Sequence, residues 1–226
     1  EDEHQRAHDI AARGHLVEML REPLRLVIGE RIHARLHLRL FPYEWTYAQE
    51  LARRRTGRPI QRPFGLAYPE LGVHPTDQYL FGDDLLVAPV LEAGATTRRV
   101  TLPPGSWLDW WDGTVYAGGA EVEVPAPLAK LPLFLRAGGI VPLLRPTIDT
   151  LSHASVAGIE SYANAPGLLY VRIFPGPESS FTLFDGTSVS QSGASSVSFA
   201  PGGVFVSGAL LEILATAEPS AVALGG

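Results

Sequence analysis

QYLFGDDLLVAPV, residues 78–90, places Asp83 and Asp84 side by side between two apolar segments. Read as extended chain, adjacent side chains point to opposite faces of a sheet. Two carboxylates that work on one bound sugar must face it together, about 5 to 9.5 Å apart. Neighbours on a strand cannot do so. Gly-Asp-Asp between apolar runs is better explained as a turn that re-aims the chain, and the flanking QYLF and LLVAPV are expected to be strands.

Outward from this point the pattern repeats. RRVTL, SWLDWW, EVEV, LPLFLR and, further on, LLYVRIF and SFTLF are short apolar or alternating segments. PPG at 103–105, DG at 112–113 and GG at 118–119 and 138–139 punctuate them. Short strands at close spacing with such turns predict a β-sandwich. Residues 144–166 read as a loop, followed by a smaller β unit to about Ala200 and a frayed small-residue end.

Upstream the character is helical. Within 30–55, Ile32, Leu36, Leu40, Tyr43 and Tyr47 recur at three- and four-residue spacing, with an arginine-rich face expected toward solvent. Pro42 predicts either a kink or two helices meeting there. The run of arginines at 53–55 and Gly57 supply a stop. IQRPFGLAY, bounded by prolines, reads as one buried strand. The fold class is therefore mainly β with an N-terminal helical part.

Composition narrows the function. Of 226 residues, 46% are apolar and 19% charged, and the net charge of −6 gives no basic patch for nucleic acid. Up to Arg62 there are 12 Lys+Arg against 9 Asp+Glu; beyond it there are 6 against 15, so the two regions are built differently. With no cysteine, disulfides and thiolate chemistry are excluded, and a reducing, cytoplasmic setting is favoured. No apolar run approaches the roughly 18 residues of a membrane span. The first residue is Glu1 and the single methionine is Met19, which is the look of a piece of a longer protein.

No constellation of residues amounts to a complete active site. WLDWWDGTVYAGG holds three of the four tryptophans. With Asp112-Gly113 as a hairpin turn, Trp107 and Trp111 fall on one side and Trp110 on the other. Exposed coplanar indoles would make a sugar platform; packing on the sandwich core is the expected state. His33 and His37 are spaced as a metal pair, as are His4 and His8, but Ala34 stands where a zinc protease has its glutamate, and Arg31, Arg35 and Arg39 surround the first pair. No metal or organic cofactor is expected.

Three ordered segments resemble the C-terminal part of glycoside hydrolase family 31, the α-glucosidase and α-xylosidase family. LHLRLFPYEWTYAQELARRRTGRPIQRPFGLAYPE is similar to its Pro-Tyr helix followed by Thr-Gly-x-Pro-x-x-Arg-Pro. DQYLFGDDLLVAPVLEAGATTRRVTLPPGSWLDWWDGTVYAGG follows the family pattern closely, and APLAKLPLFLRAGGIVPL matches the next element. YVRIFPGPESSFTLFDGT is a weaker echo, with fewer acids around Asp185 than the family carries. The resemblance implies that residues 1–77 end a (β/α)8 barrel, with IQRPFGLAY as its last strand. Residues 78–143 would form a proximal β-sandwich and 144–226 a reduced distal one.

Members of the family are retaining enzymes with an aspartate nucleophile and an aspartate acid/base, and neither motif occurs here. The resemblance implies a partner of the oligosaccharide or α-glycoside class, with no nucleic acid and no membrane. Arg13-Gly14-His15 fits the family's Arg-x-His, whose histidine binds sugar, so Arg13 and His15 are the candidate substrate-binding residues. The loop 69–76 would at most rim the site, and this chain alone is expected to be inactive. The alternative is a non-catalytic carbohydrate-binding or structural β-sandwich module.

Overall fold

The computed structural model describes residues 31–54, 59–193 and 196–214. Two helices open it, α1 over 31–39 and α2, Phe41–Arg54, separated by a turn at Leu40. They meet where Pro42 demanded a break. A proline in the first turn of α2 lacks only an N–H that would have no helical partner there. The helix stop at 55–57 lies outside the described residues.

Three-residue strand β1, Gln61–Pro63, is followed by one helical turn, α3, Phe64–Ala67. The single strand expected over IQRPFGLAY is thus corrected. Pro63, at φ −53°, caps the turn instead of extending the strand, and Phe64 is buried beneath it. Then come β2 (Tyr79–Phe81), β3 (Leu85–Val87), β4 (Thr97–Thr101), β5 (Ser106–Asp109), β6 (Val115–Ala117), β7 (Glu121–Pro125) and β8 (Leu133–Arg136). After β9 (Ile140–Leu143) the chain runs through the loop to β10 (Leu169–Ile173), β11 (Ser179–Thr182), β12 (Ser188–Ser192), β13 (Ser196–Ala200) and β14 (Ala209–Ile213).

The principal sheet has six strands in the order β1-β2-β3-β8-β5-β6, antiparallel throughout. Its central strands, β3 and β8, are apolar up to the terminal Arg136 of β8 because both faces are covered. Alternation sorts them: Leu85, Val87, Leu133 and Leu135 enter one core with α2, β9 and β10, while Leu86 and Phe134 enter a second core. Val100 of β4 and Val124 of β7, paired as a two-stranded sheet, close that second core. β9 leaves the principal sheet and pairs with β10, itself parallel to β14. β11, β12 and β13 form an antiparallel meander. The mainly β fold with a helical start is as expected from the sequence; no (β/α)8 barrel is present among the described residues.

The helices dock through Leu36, Leu40 and Tyr43, all buried, whereas Ile32 of the expected stripe is 42% exposed. The arginine face is less solvent-directed than its charge suggested. Arg39 donates Nε to the Leu144 carbonyl at 3.0 Å, and Arg35 reaches the Pro146 carbonyl at 2.9 Å. Both give the loop after β9 partners for carbonyls that a strand would otherwise have satisfied.

Candidate functional site

The Gly-Asp-Asp stretch is a turn, and its two acids take different partners. Gly82 sits at φ 64°, a left-handed conformation that glycine adopts without strain. Asp84 is buried, and its Oδ1 accepts from Arg136 Nε at 2.9 Å and Nη2 at 2.8 Å. Asp83 lies outward. Arg62, 5% exposed, donates to Asp83 Oδ1 at 2.5 Å and to the Gly82 carbonyl.

Helix α2 closes over the turn. The Tyr43 hydroxyl donates to the Phe81 carbonyl at 3.1 Å and accepts the Asp84 N–H at 3.1 Å. The Tyr47 hydroxyl donates to Asp83 Oδ2 at 3.1 Å and accepts the Asp83 N–H at 2.9 Å. Burial raises both tyrosines above their ordinary value, and the charge of Asp84 adds to it. Burial likewise pushes the Asp84 carboxyl up to about 6, against the pull of Arg136. A carboxylate so enclosed and so paired has no face for a substrate. The doublet ties the turn to α2, β1 and β8.

The sequence had flagged Asp83 and Asp84 but not the arginines that answer them. Arg62 between prolines in an apolar segment, and Arg136 at the end of LPLFLR, were the available signals: a charge within a buried strand needs a partner.

The tryptophans are structural. Trp107 is 1% exposed in the second core, with its indole N–H on the Pro103 carbonyl at 2.8 Å. The strand ends at Asp109, so residues 110–114, not a two-residue turn, connect β5 to β6. The cause is Trp110, which turns into the first core beneath Arg172. Trp111 is half-buried, donating Nε1 to the Leu131 carbonyl at 2.6 Å. These three indoles therefore form no exposed coplanar platform, which counts against the carbohydrate-binding module.

His33 packs edge-on against Trp111, with ring centroids 5.7 Å apart, and its Nε2 accepts the Leu131 N–H at 3.3 Å. Burial lowers its pKa. His37 instead faces Glu44 at 3.3 Å. Arg13 and His15, and the pair His4 and His8, lie outside the described residues. An open cleft of about 650 Å³ runs between β1 and the 74–79 segment, with Arg62 and Tyr79 among its walls, His74 and Asp77 at its polar side and Leu66 and Leu91 at its apolar side. It holds no opposed pair of carboxylates.

The described residues build packed β-sheets, and the cleft at their edge is lined by a single carboxylate, Asp77. Residues 57–141 match the C-terminal domain of glycosyl hydrolase family 31. The isomaltosyltransferase of Sporosarcina globispora is 33% identical over 142 residues, 61% of this chain and 12% of that protein. The sulfoquinovosidase of Agrobacterium fabrum is 41% identical over 105 residues, covering 45% and 16%. Among solved structures, a family 31 dextranase of Flavobacterium johnsoniae complexed with isomaltotriose superposes at a TM-score of 0.65 with 28% identity, over 85% of this chain and 26% of that one. The family 31 α-xylosidase of Xanthomonas citri gives 0.63 with 29% identity, over 80% and 21%. The chain thus spans only 12% of the isomaltosyltransferase and 16% of the sulfoquinovosidase.

Proposed function

We propose that this chain is the C-terminal portion of a retaining α-glycosidase whose catalytic aspartates precede Glu1. The observation that carries the reading is the match of residues 57–141 to the C-terminal domain of glycosyl hydrolase family 31. The chemistry would be double displacement. One carboxylate attacks the anomeric carbon while a second carboxyl protonates the departing oxygen; water, deprotonated by that second group, then releases the sugar with net retention. No cofactor enters. The partner is an α-glycoside or oligosaccharide, a class supported by relatives named for isomaltosyl transfer and α-xylosidase activity.

In this reading residues 1–77 carry the end of a (β/α)8 barrel and lead through β1 into the principal sheet, 78–143 form the body of the proximal sandwich and 144–226 the reduced distal one. Arg13 and His15 bind the sugar. The loop 69–76 and the cleft beside it would rim the site at most. The described portion braces the barrel.

The test is to read the coding region upstream of Glu1 and assay the whole product. An open frame supplying further barrel strands and two aspartates, with an α-anomeric first product seen by NMR, is the expected result. Release of sugar from an aryl α-glycoside by the purified 226-residue chain would show that the chemistry lies within it and overturn the proposal.

A further inference from the structure

Helix α2 covers only part of the sheet face it rests on. Tyr43 packs on Phe81 of β2, with ring centroids 6.2 Å apart. Tyr79, two residues back on the same face, instead lines the open cleft of about 650 Å³. Gln61 and Pro63, in register with Phe81 and Tyr79, share that face and are exposed. Leu66 and Leu91, 60% and 70% exposed, form the apolar side of the cleft. Large apolar side chains left open around a concavity mark an interaction surface.

The same surface includes a sheet edge. β1 ends the principal sheet, with β2 on one side and no strand among the described residues on the other. The Gly82 N–H donates to the Ile60 carbonyl at 2.8 Å. By the alternation of an antiparallel ladder, Arg62 then turns its backbone groups to β2 and Gln61 turns its N–H and carbonyl outward. Pro63 has no N–H, which confines any added strand to the Gln61 pair.

We propose that the cleft and the outer edge of β1 seat polypeptide that precedes Glu1: one extended segment bonds to the Gln61 backbone, and apolar side chains beside it cover Leu66 and Leu91. The inference rests on the reading above, that a barrel lies upstream. Three observations select this occupant. The layer already on that face, α2, comes from upstream of β1. The family match begins at residue 57 and β1 at Gln61, so β1 is the first strand of the matched domain and borders what precedes it. The polar groups of the cleft are also already engaged. Arg62 serves Asp83 and the Gly82 carbonyl, Asp77 holds Arg98 at 2.6 Å, and the Gln78 amide exchanges two bonds with the Thr101 backbone at 2.6 and 2.9 Å. A small polar ligand needs convergent free groups; an apolar chain segment needs only the walls and the edge.

The experiment is hydrogen exchange at the Gln61 amide, in the 226-residue chain and in the whole product of the upstream-extended frame. The amide should exchange as an open one in the shorter chain. In the whole product it should exchange at least about tenfold more slowly, the effect of one backbone hydrogen bond. Leu66→Asp with Leu91→Asp should remove that protection and leave the unfolding midpoint of the shorter chain unchanged. Leu128→Asp, at a 57% exposed position outside the cleft, should do neither. An unprotected Gln61 amide in a whole product that hydrolyses α-glycosides would overturn the docking alone. A frame that starts just before Glu1 would overturn both it and the reading beneath it. Protection that rises with concentration in the shorter chain would assign the surface to a second copy. Movement of the Leu66 and Leu91 methyl signals on adding isomaltotriose would make it a sugar site. Either result overturns the proposal.

Discussion

Arg172 lays its guanidinium 4.2 Å from the centre of the Trp110 ring and donates Nη1 to the carbonyl of that same residue at 2.7 Å. Its Nε and Nη2 grip Glu212 at 2.8 and 2.9 Å. One side chain thereby joins the end of β5 to β10 and β14. Arg172→Ala should cost about 1–3 kcal/mol, since stacking and a charge-assisted bond are lost together. Arg172→Lys should recover less than half, because an ammonium cannot stack and bridge at once. Urea unfolding of the three chains checks both.

Tyr43→Phe removes one oxygen and leaves the Phe81 carbonyl and the Asp84 N–H without a partner in a buried place. A loss of about 1–3 kcal/mol is expected. Tyr47→Phe, against the outward Asp83, should cost less, and the ranking is read from denaturation midpoints.

Two glycines with positive φ separate strain from crowding. At Gly113, φ 76°, a methyl group meets open space; at Gly82, φ 64°, it collides with the Tyr43 hydroxyl. Gly113→Ala should cost about 1–2 kcal/mol for the left-handed backbone alone. Gly82→Ala should exceed it by at least a further ~1 kcal/mol, from overpacking. Equal melting shifts would refute the distinction.

Trp107 is 1% exposed and Trp45 is 45% exposed, stacked on Phe41 at 6.0 Å. Trp107→Ala should destabilise by about 3–5 kcal/mol, and Trp45→Ala by under about 1 kcal/mol. Thermal unfolding followed by circular dichroism distinguishes them.

The pH dependence follows from Asp84. Its folded-state value is raised to about 6 from 3.8. A raised value means that the group's contribution is fully present below the unfolded value and is lost as pH climbs through the folded one. Its share of stability should therefore fall by about 2 kcal/mol between pH 4 and pH 6. Asp84→Asn should remove that part of the slope, as measured by urea unfolding across the interval.

The strands were legible wherever an apolar run stood between turn residues, as with LLVAPV and LPLFLR. β12 and β13 were not, because SVSQS and SVSFA bury only one face and carry serine on the other. IVPL was seen only as the tail of a family motif, and nothing local says that β9 should desert the principal sheet for β10. IQRPFGLAY misled because its apolar content suited a strand while Pro63 dictated a turn of helix. The turn at 82–84 was recognised, yet its partners come from Tyr43, Arg62 and Arg136, far apart in sequence. Local pattern does not encode such pairings.

The principal sheet also sets the order in which this chain can be assembled. Leu85 of β3 lies opposite Leu135 of β8, and everything from β4 to β7 is made between them. At a synthesis rate of about 5–20 residues per second, the apolar edge of β3 waits some seconds for its neighbour. During that wait a nascent LLVAPV segment is open to other strands. A ribosome-proximal holdase, or an upstream domain already folded beside it, would then matter more to yield than the final stability of the sheet.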